Sequence, residues 1–230
     1  MEFGQPQEKK VIQTGIMGQR VVDEEVRRLY NEIKGKLCFL FGNPMVGKTT
    51  LAHLVSNLFK HCIVYKIDKN YTAETFRAIA NPNIRYVEID RAYQLRDQIT
   101  HFPSYYKEAY NERQDCLLIV DSMTSIQSEF FSDPMKASPR DANIMNNFCD
   151  FILRRLSKYK PATSLVICHE KIADFKTGEI IARVNRILYR HVDAAFRIVE
   201  ERDSEGNVVA RKIVKTSERK IKTENFNFTW

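Results

Sequence analysis

No apolar run in this sequence approaches the length of a membrane span. The first residues, Met1 to Lys10, are polar and do not read as a signal peptide, so a cytoplasmic location and no membrane association are expected. Glycine is scarce, eight residues in 230, and nothing in the chain is collagenous, low-complexity or internally repeated. The five cysteines, Cys38, Cys62, Cys116, Cys149 and Cys168, contain no C-x-x-C pair and no zinc-type clustering. All but Cys149 sit in apolar, strand-like runs, which predicts buried free thiols in a reducing compartment.

What is present is a 43% hydrophobic chain, enough for a substantial core, with a net charge of +7. The basic excess favours a polyanionic partner, and a solvated lysine-rich surface accounts for it equally well.

The most informative stretch is Gly42-Asn43-Pro44-Met45-Val46-Gly47-Lys48-Thr49, which reads G-x-x-x-x-G-K-T. It follows an apolar run, Leu37 to Phe41, that suits a buried strand. It precedes Thr50 to Leu58, where Leu51, Leu54, Val55 and Leu58 recur at helical spacing. Glycines between a strand and a helix let successive backbone N–H groups converge on phosphate oxygens, beside the positive end of the helix. Residues Gly42 to Thr50 are therefore the candidate nucleotide contacts. Lys48 is placed to reach the β and γ phosphates, and the Thr49 hydroxyl to hold Mg²⁺. ATP and Mg²⁺ are the expected cofactors.

A second motif is Cys116 to Ser122, an apolar strand ending in Asp121, the Walker B pattern. Its carboxylate would hold Mg²⁺, or a water bound to it, opposite Thr49. Elsewhere the pattern predicts an amphipathic helix over Val21–Ile33, a strand over Cys62–Asp68, a helix from Thr72 to about Ala80 and a strand over Ile84–Ile89. Residues 91 to 114 read as mostly helical, with a break near His101–Pro103. A long loop, Gln127 to Arg140, precedes a helix over Asp141–Tyr159 that buries Ile144, Phe148, Phe151, Ile152 and Leu156. Ser164–Cys168 reads as a strand, Lys171–Glu179 as a loop and Ile180–Tyr189 as a helix. Two strands, Val192–Glu200 and Val208–Lys215, flank a hairpin turn, and the tail adds a weak edge strand. The fold class is α/β: a mostly parallel central sheet with helices on both faces and antiparallel strands at the C-terminal edge. Residues 1–34 form a lead-in with its helix, and 35–230 the core.

The order of these pieces resembles the RecA-type recombinase superfamily. Within it, the chain is similar to core-only archaeal paralogues of RadA of the RadB kind, and to related phage or KaiC-like ATPases. The resemblance rests on the phosphate loop, on Leu118 to Ser125 with its Asp-Ser pair, on Ile12 to Ile16, on Ile67-Asp68 with Glu74, and on the segments Arg190–Val199 and Arg211–Arg219. It implies a RecA-like P-loop ATPase core. It also implies a DNA channel lined by the loops 127–140 and 171–179. There Lys136, Arg140, Lys171 and Lys176 would bind phosphates, and Phe131 or Phe175 would stack on bases. Single- or double-stranded DNA is the implied partner, with a recombinase or other protein partner and a homo-oligomer as further expectations.

Three departures qualify that implication. Asn70 stands where the family carries a catalytic glutamate, which predicts slow hydrolysis unless Asp68 or Glu170 substitutes. His169-Glu170 replaces the family's polar sensor pair, making His169 a candidate γ-phosphate contact and Glu170 a candidate base or loop anchor. No Phe-x-x-Ala docking motif occurs in the lead-in. The resulting expectation is an accessory recombination or repair factor with weak ATPase. The alternatives are a KaiC-like regulatory ATPase working through protein partners, and a ring-forming DNA motor or packaging ATPase.

Overall fold

The computed structural model describes residues 24–127, 130, 138–174, 179–182, 184–216 and 225–228. In chain order these form α1 (Glu24–Ile33), β1 (Leu37–Gly42), α2 (Lys48–Ser56), β2 (His61–Lys66), β3 (Ile84–Glu88), α3 (Ala92–Thr100), α4 (Phe102–Tyr105) and α5 (Lys107–Asn111). They continue with β4 (Cys116–Asp121), α6 (Met123–Gln127), α7 (Pro139–Lys158), β5 (Thr163–Asp174), β6 (Glu179–Ala182), β7 (Ala194–Arg202), β8 (Val208–Thr216) and β9 (Asn225–Phe228). The main sheet runs β3-β2-β4-β5-β1-β7-β8-β9, with β6 paired to β5. From β3 to β7 every pairing is parallel, while β8 and β9 close the far edge antiparallel.

The strands read as unbroken apolar runs because both faces of the sheet are covered. Alternate residues of each strand feed different cores. Leu37, Phe39 and Phe41 join Tyr65, Leu118 and Val166 under α3 to α7. Cys38 and Leu40 join Val64, Ile119 and Leu165 under α1 and α2. The two cores hold the carboxyl ends of β1, β2, β4 and β5 side by side, which is where the candidate site lies. All five cysteines are buried and free, as expected. No helix among the described residues is long and apolar enough to cross a membrane.

Several boundaries differ from the sequence reading. The expected helix from Thr72 is a single 3₁₀ turn, Ala73–Phe76. Thr75 Oγ1 takes the Thr72 N–H at its start, Phe76 packs on His53 of α2, and the chain continues through turns to Ala80. The helix expected over Ile180–Tyr189 is instead β6 followed by a 3₁₀ turn, Arg186–His191. β5 runs on to Asp174, and Ile180 and Ile181 pair with its extension, so Lys171 lies in a strand, not a loop. The helix after the long loop starts at Pro139, because Ser138 caps it in a reciprocal pair with Asp141. Ile144 is 47% exposed, and Phe148 and Phe151 are only half-buried; Cys149, Ile152, Leu153 and Leu156 form the inward stripe of α7.

Asn81 ties this framework together. It is buried, and its Nδ2 donates to the carbonyls of Ser56 (3.0 Å) and Phe59 (2.5 Å), while its own N–H donates to Ser56 Oγ at 3.0 Å. It thereby satisfies the Phe59 carbonyl just past the end of α2 and adds a second donor to the Ser56 carbonyl, which already accepts from the Phe59 N–H at 3.1 Å. We expect Asn81→Ala to cost about 1–3 kcal/mol in urea denaturation, because it strands the Phe59 carbonyl.

Candidate functional site

The phosphate-loop residues turn from β1 into α2 as their spacing predicts. Gly47 precedes α2 with φ 89°, a left-handed conformation that suits glycine. Gly42 has φ +157°, and a Cβ there would lie 2.7 Å from the Ile198 carbonyl oxygen, so β7 excludes any side chain. Met45 also takes a positive φ, 66°, and is 94% exposed at the crown of the turn. No side chain caps the start of α2 and its first turn carries no acidic residue. Its amide donors and positive dipole end are therefore left to an anion.

Lys48 is buried and folds back over the loop. Its Nζ donates to the carbonyls of Gly42 (3.1 Å) and Asn43 (2.6 Å). Burial lowers its pKa, and the charges of Asp121, Glu170 and Asp68 nearby oppose that shift. Thr49 Oγ1 donates to Asp121 Oδ2 at 2.8 Å, joining the loop to the end of β4. Asp121 is 1% exposed, and the Asp121–Ser122 peptide is cis. Burial pushes the Asp121 carboxyl up to about 6; Asp68 adds to the rise, while Thr49, Tyr71 and Lys48 counter it. The backbone carbonyl of Asp121 accepts from both Ile67 N–H (2.6 Å) and Asp68 N–H (2.9 Å), which brings the end of β2 to the same point.

These residues fit a Mg²⁺-polyphosphate. The donors converging at Thr49 and Asp121 are hard oxygens, as Mg²⁺ requires. Among the described residues no group of three or more His, Cys, Asp or Glu could hold a metal alone. Mg²⁺ at this place would need phosphate oxygens and waters to complete its shell, as it usually does in nucleotide sites.

His169 and Glu170 lie where β5 leaves the sheet beside Gly42, since His169 pairs in register with it. The His169 N–H donates to Thr124 Oγ1 at 2.9 Å. The Glu170 carboxylate is gripped on both oxygens by Arg197 of β7, at 2.9 and 3.2 Å. That pair crosses the end of β1 and gives Glu170 an anchoring geometry. Arg140 is exposed in the first turn of α7 and Lys171 is exposed in β5. Phe131, Lys136, Phe175 and Lys176 lie outside the described residues.

Four residues around the site were missed in the sequence. Arg197 carried no local signal. Lys66, buried at the end of an apolar strand, did carry one: it bonds Glu88 at 2.9 Å and sits 5.2 Å from the Tyr71 ring centroid. The Tyr71 hydroxyl lies near Asp121 and favours its charged form, yet meets no acceptor in good hydrogen-bond geometry. His53, one turn beyond Thr49, is fully buried and stacks on Phe76 at 4.3 Å. Its Nδ1 contacts the Thr49 carbonyl at 2.7 Å. A carbonyl only accepts, so Nδ1 carries the proton and Nε2 is a bare acceptor with no partner. Burial pulls the His53 pKa down to about 4 and keeps the ring neutral.

The raised Asp121 pKa has a signed consequence. A carboxyl whose folded pKa exceeds its ordinary value contributes stability below that ordinary value and loses it as pH rises through about 6. In chelator, Asp121→Asn should therefore match wild type near pH 4 and exceed it by about 1–3 kcal/mol near pH 7.5, measured by urea denaturation. A stability difference independent of pH would contradict this.

No family model matches the chain, and no curated protein matches it.

Proposed function

We propose that the chain is a RecA-like P-loop protein that binds ATP with Mg²⁺ and acts on DNA in recombination or repair, with weak ATPase activity. The observation that carries the reading is the 2.8 Å contact between Thr49 Oγ1 and Asp121 Oδ2, beside a buried Lys48 and an uncapped helix start. A loop that gathers amide donors, one ammonium and two hard oxygen ligands is suited to a triphosphate and to little else.

In this reading the backbone N–H groups of 43 and of 45 to 50 seat the phosphates, Pro44 having none to give, and Lys48 exchanges its two carbonyl partners for phosphate oxygens. Thr49 and Asp121 share the cation. Bound Mg²⁺ supplies charge neutralisation on the β and γ phosphates. Asp68 is the better placed of the two substitute bases. Glu170 commits both oxygens to Arg197, whereas Asp68 holds only Oδ1 on the Asn70 N–H, at 2.9 Å, and its charge reaches Asp121. Asn70 itself is exposed and cannot accept a proton, which supports slow turnover.

The DNA assignment is supported by placement. β4 and β5 are neighbouring parallel strands, and both reach the end of the sheet that carries the phosphate loop. Arg140, in the first turn of α7, and Lys171, in the extension of β5, are exposed.

Lys48→Ala should reduce ATP affinity at least about tenfold in a fluorescent-nucleotide titration; unchanged affinity overturns the nucleotide site. Asn70→Glu should raise kcat in a phosphate-release assay, by about tenfold or more. No rise places the base elsewhere. Anisotropy with labelled single- and double-stranded DNA should show binding that weakens with salt, and its absence removes DNA as the partner.

A further inference from the structure

Away from the phosphate loop, a groove of about 590 Å³ opens between α3 and α7. Tyr93 and Arg96 line it from α3, and Ile144, Phe148 and Phe151 from α7, with Phe130 at one end. Ile144, Phe148, Phe151 and Arg155 recur at helical spacing, so α7 presents a second stripe beside its buried one. Tyr93 is 69% exposed and Ile144 47% exposed, an unusual pair of neighbours for a surface with no partner.

The charges point one way. Among the described residues no carboxylate lines the groove. The guanidinium carbon of Arg96 lies 4.8 Å, and that of Arg155 5.5 Å, from the centroid of the Phe151 ring. Neither forms an ion pair among the described residues, whereas Arg154, adjacent in sequence, is paired with Asp150 at 2.7 Å. Two arginines held over an aromatic ring without an acid make a site for carboxylates.

We propose that this groove docks an acidic amphipathic segment of a partner protein, its apolar side chains between Tyr93 and Ile144 and its carboxylates on Arg96 and Arg155. The aromatic faces argue for a peptide over a nucleobase. Phe151 is covered by guanidinium groups, and Phe148 packs against Phe130 at 5.2 Å between centroids, which leaves Tyr93 as the open ring among these four and no run of aromatic faces for successive bases to stack on. What remains open is an apolar slot of the kind that receives the i, i+4 and i+7 side chains of a short helix.

The test uses the full chain and two fluorescein-labelled peptides of about 16 residues, with leucines at i, i+4 and i+7 and either glutamate or lysine at the flanking positions. By anisotropy the glutamate peptide should bind, and the lysine peptide should bind at least about tenfold more weakly. Arg96→Glu and Arg155→Glu should each weaken the glutamate peptide about fivefold or more, with circular dichroism and ATP affinity unchanged. Failure of the glutamate peptide to bind, equal binding of both peptides, or indifference to the arginine variants overturns the proposal. An oligothymidylate that displaces the peptide from wild type, and itself loses affinity in Arg96→Glu, overturns it in favour of nucleic acid. The Lys48→Ala variant retains an intact groove, so loss of the nucleotide site would leave this experiment readable.

Discussion

The structure turns on one short contact, the hydrogen bond from Thr49 to Asp121. Its two ends come from β4 and from the first turn of α2, the helix that follows β1, and β1 and β4 are separated in the sheet by β5. It forms only if all three strands end at the same level. Their parallel register provides this: Val120 pairs with Val166, and Phe39 with the same residue on its other side. Asp121 then sits in a dry place that disfavours its charge. Thr49, Lys48 and the nearby phenol of Tyr71 are what make an ionised carboxylate tolerable there.

A second layer of unmet polar groups stands behind that contact. His53 Nε2 and the hydroxyls of Tyr71 and Tyr86 are all buried without a hydrogen-bond partner, and the rings of both tyrosines lie about 6 Å from His53. Each such atom costs about 1–3 kcal/mol. One acceptor and two donors stand within one small cluster, complementary in kind. Phe76 stacks on His53, so the surface 3₁₀ turn packs directly on the ring that holds the Thr49 carbonyl.

The parts of this arrangement that could be read from the sequence are those fixed by local pattern. Leu37 to Phe41 and Cys116 to Val120 are apolar without a gap, and such runs in an α/β chain become central strands. The turn between β1 and α2 follows from its two glycines. Other parts depend on residues distant in the chain. Ile180 and Ile181 fit either a helix face or a strand, and only the extension of β5 beside them decides for β6. Ile144 has the spacing of a buried residue on α7, yet the inward stripe is set by Met123 and the strands below and passes through Cys149 and Leu153. Arg197, Tyr71 and His53 come to the site from three separate segments, with nothing in their own neighbourhoods to announce it. Lys66 is the exception: a lysine at the end of a buried strand was a visible sign of a nearby acid or ring.

The requirement for glycine at position 42 arises far from the motif that contains it. The space a Cβ would fill belongs to a carbonyl on β7, contributed by a residue much later in the chain. Transplanting the octapeptide into a different strand-helix scaffold would not carry that requirement along. The host would have to supply a neighbouring strand equally close, or the first glycine of the pattern would become replaceable while the second, held by its own backbone angle, would not.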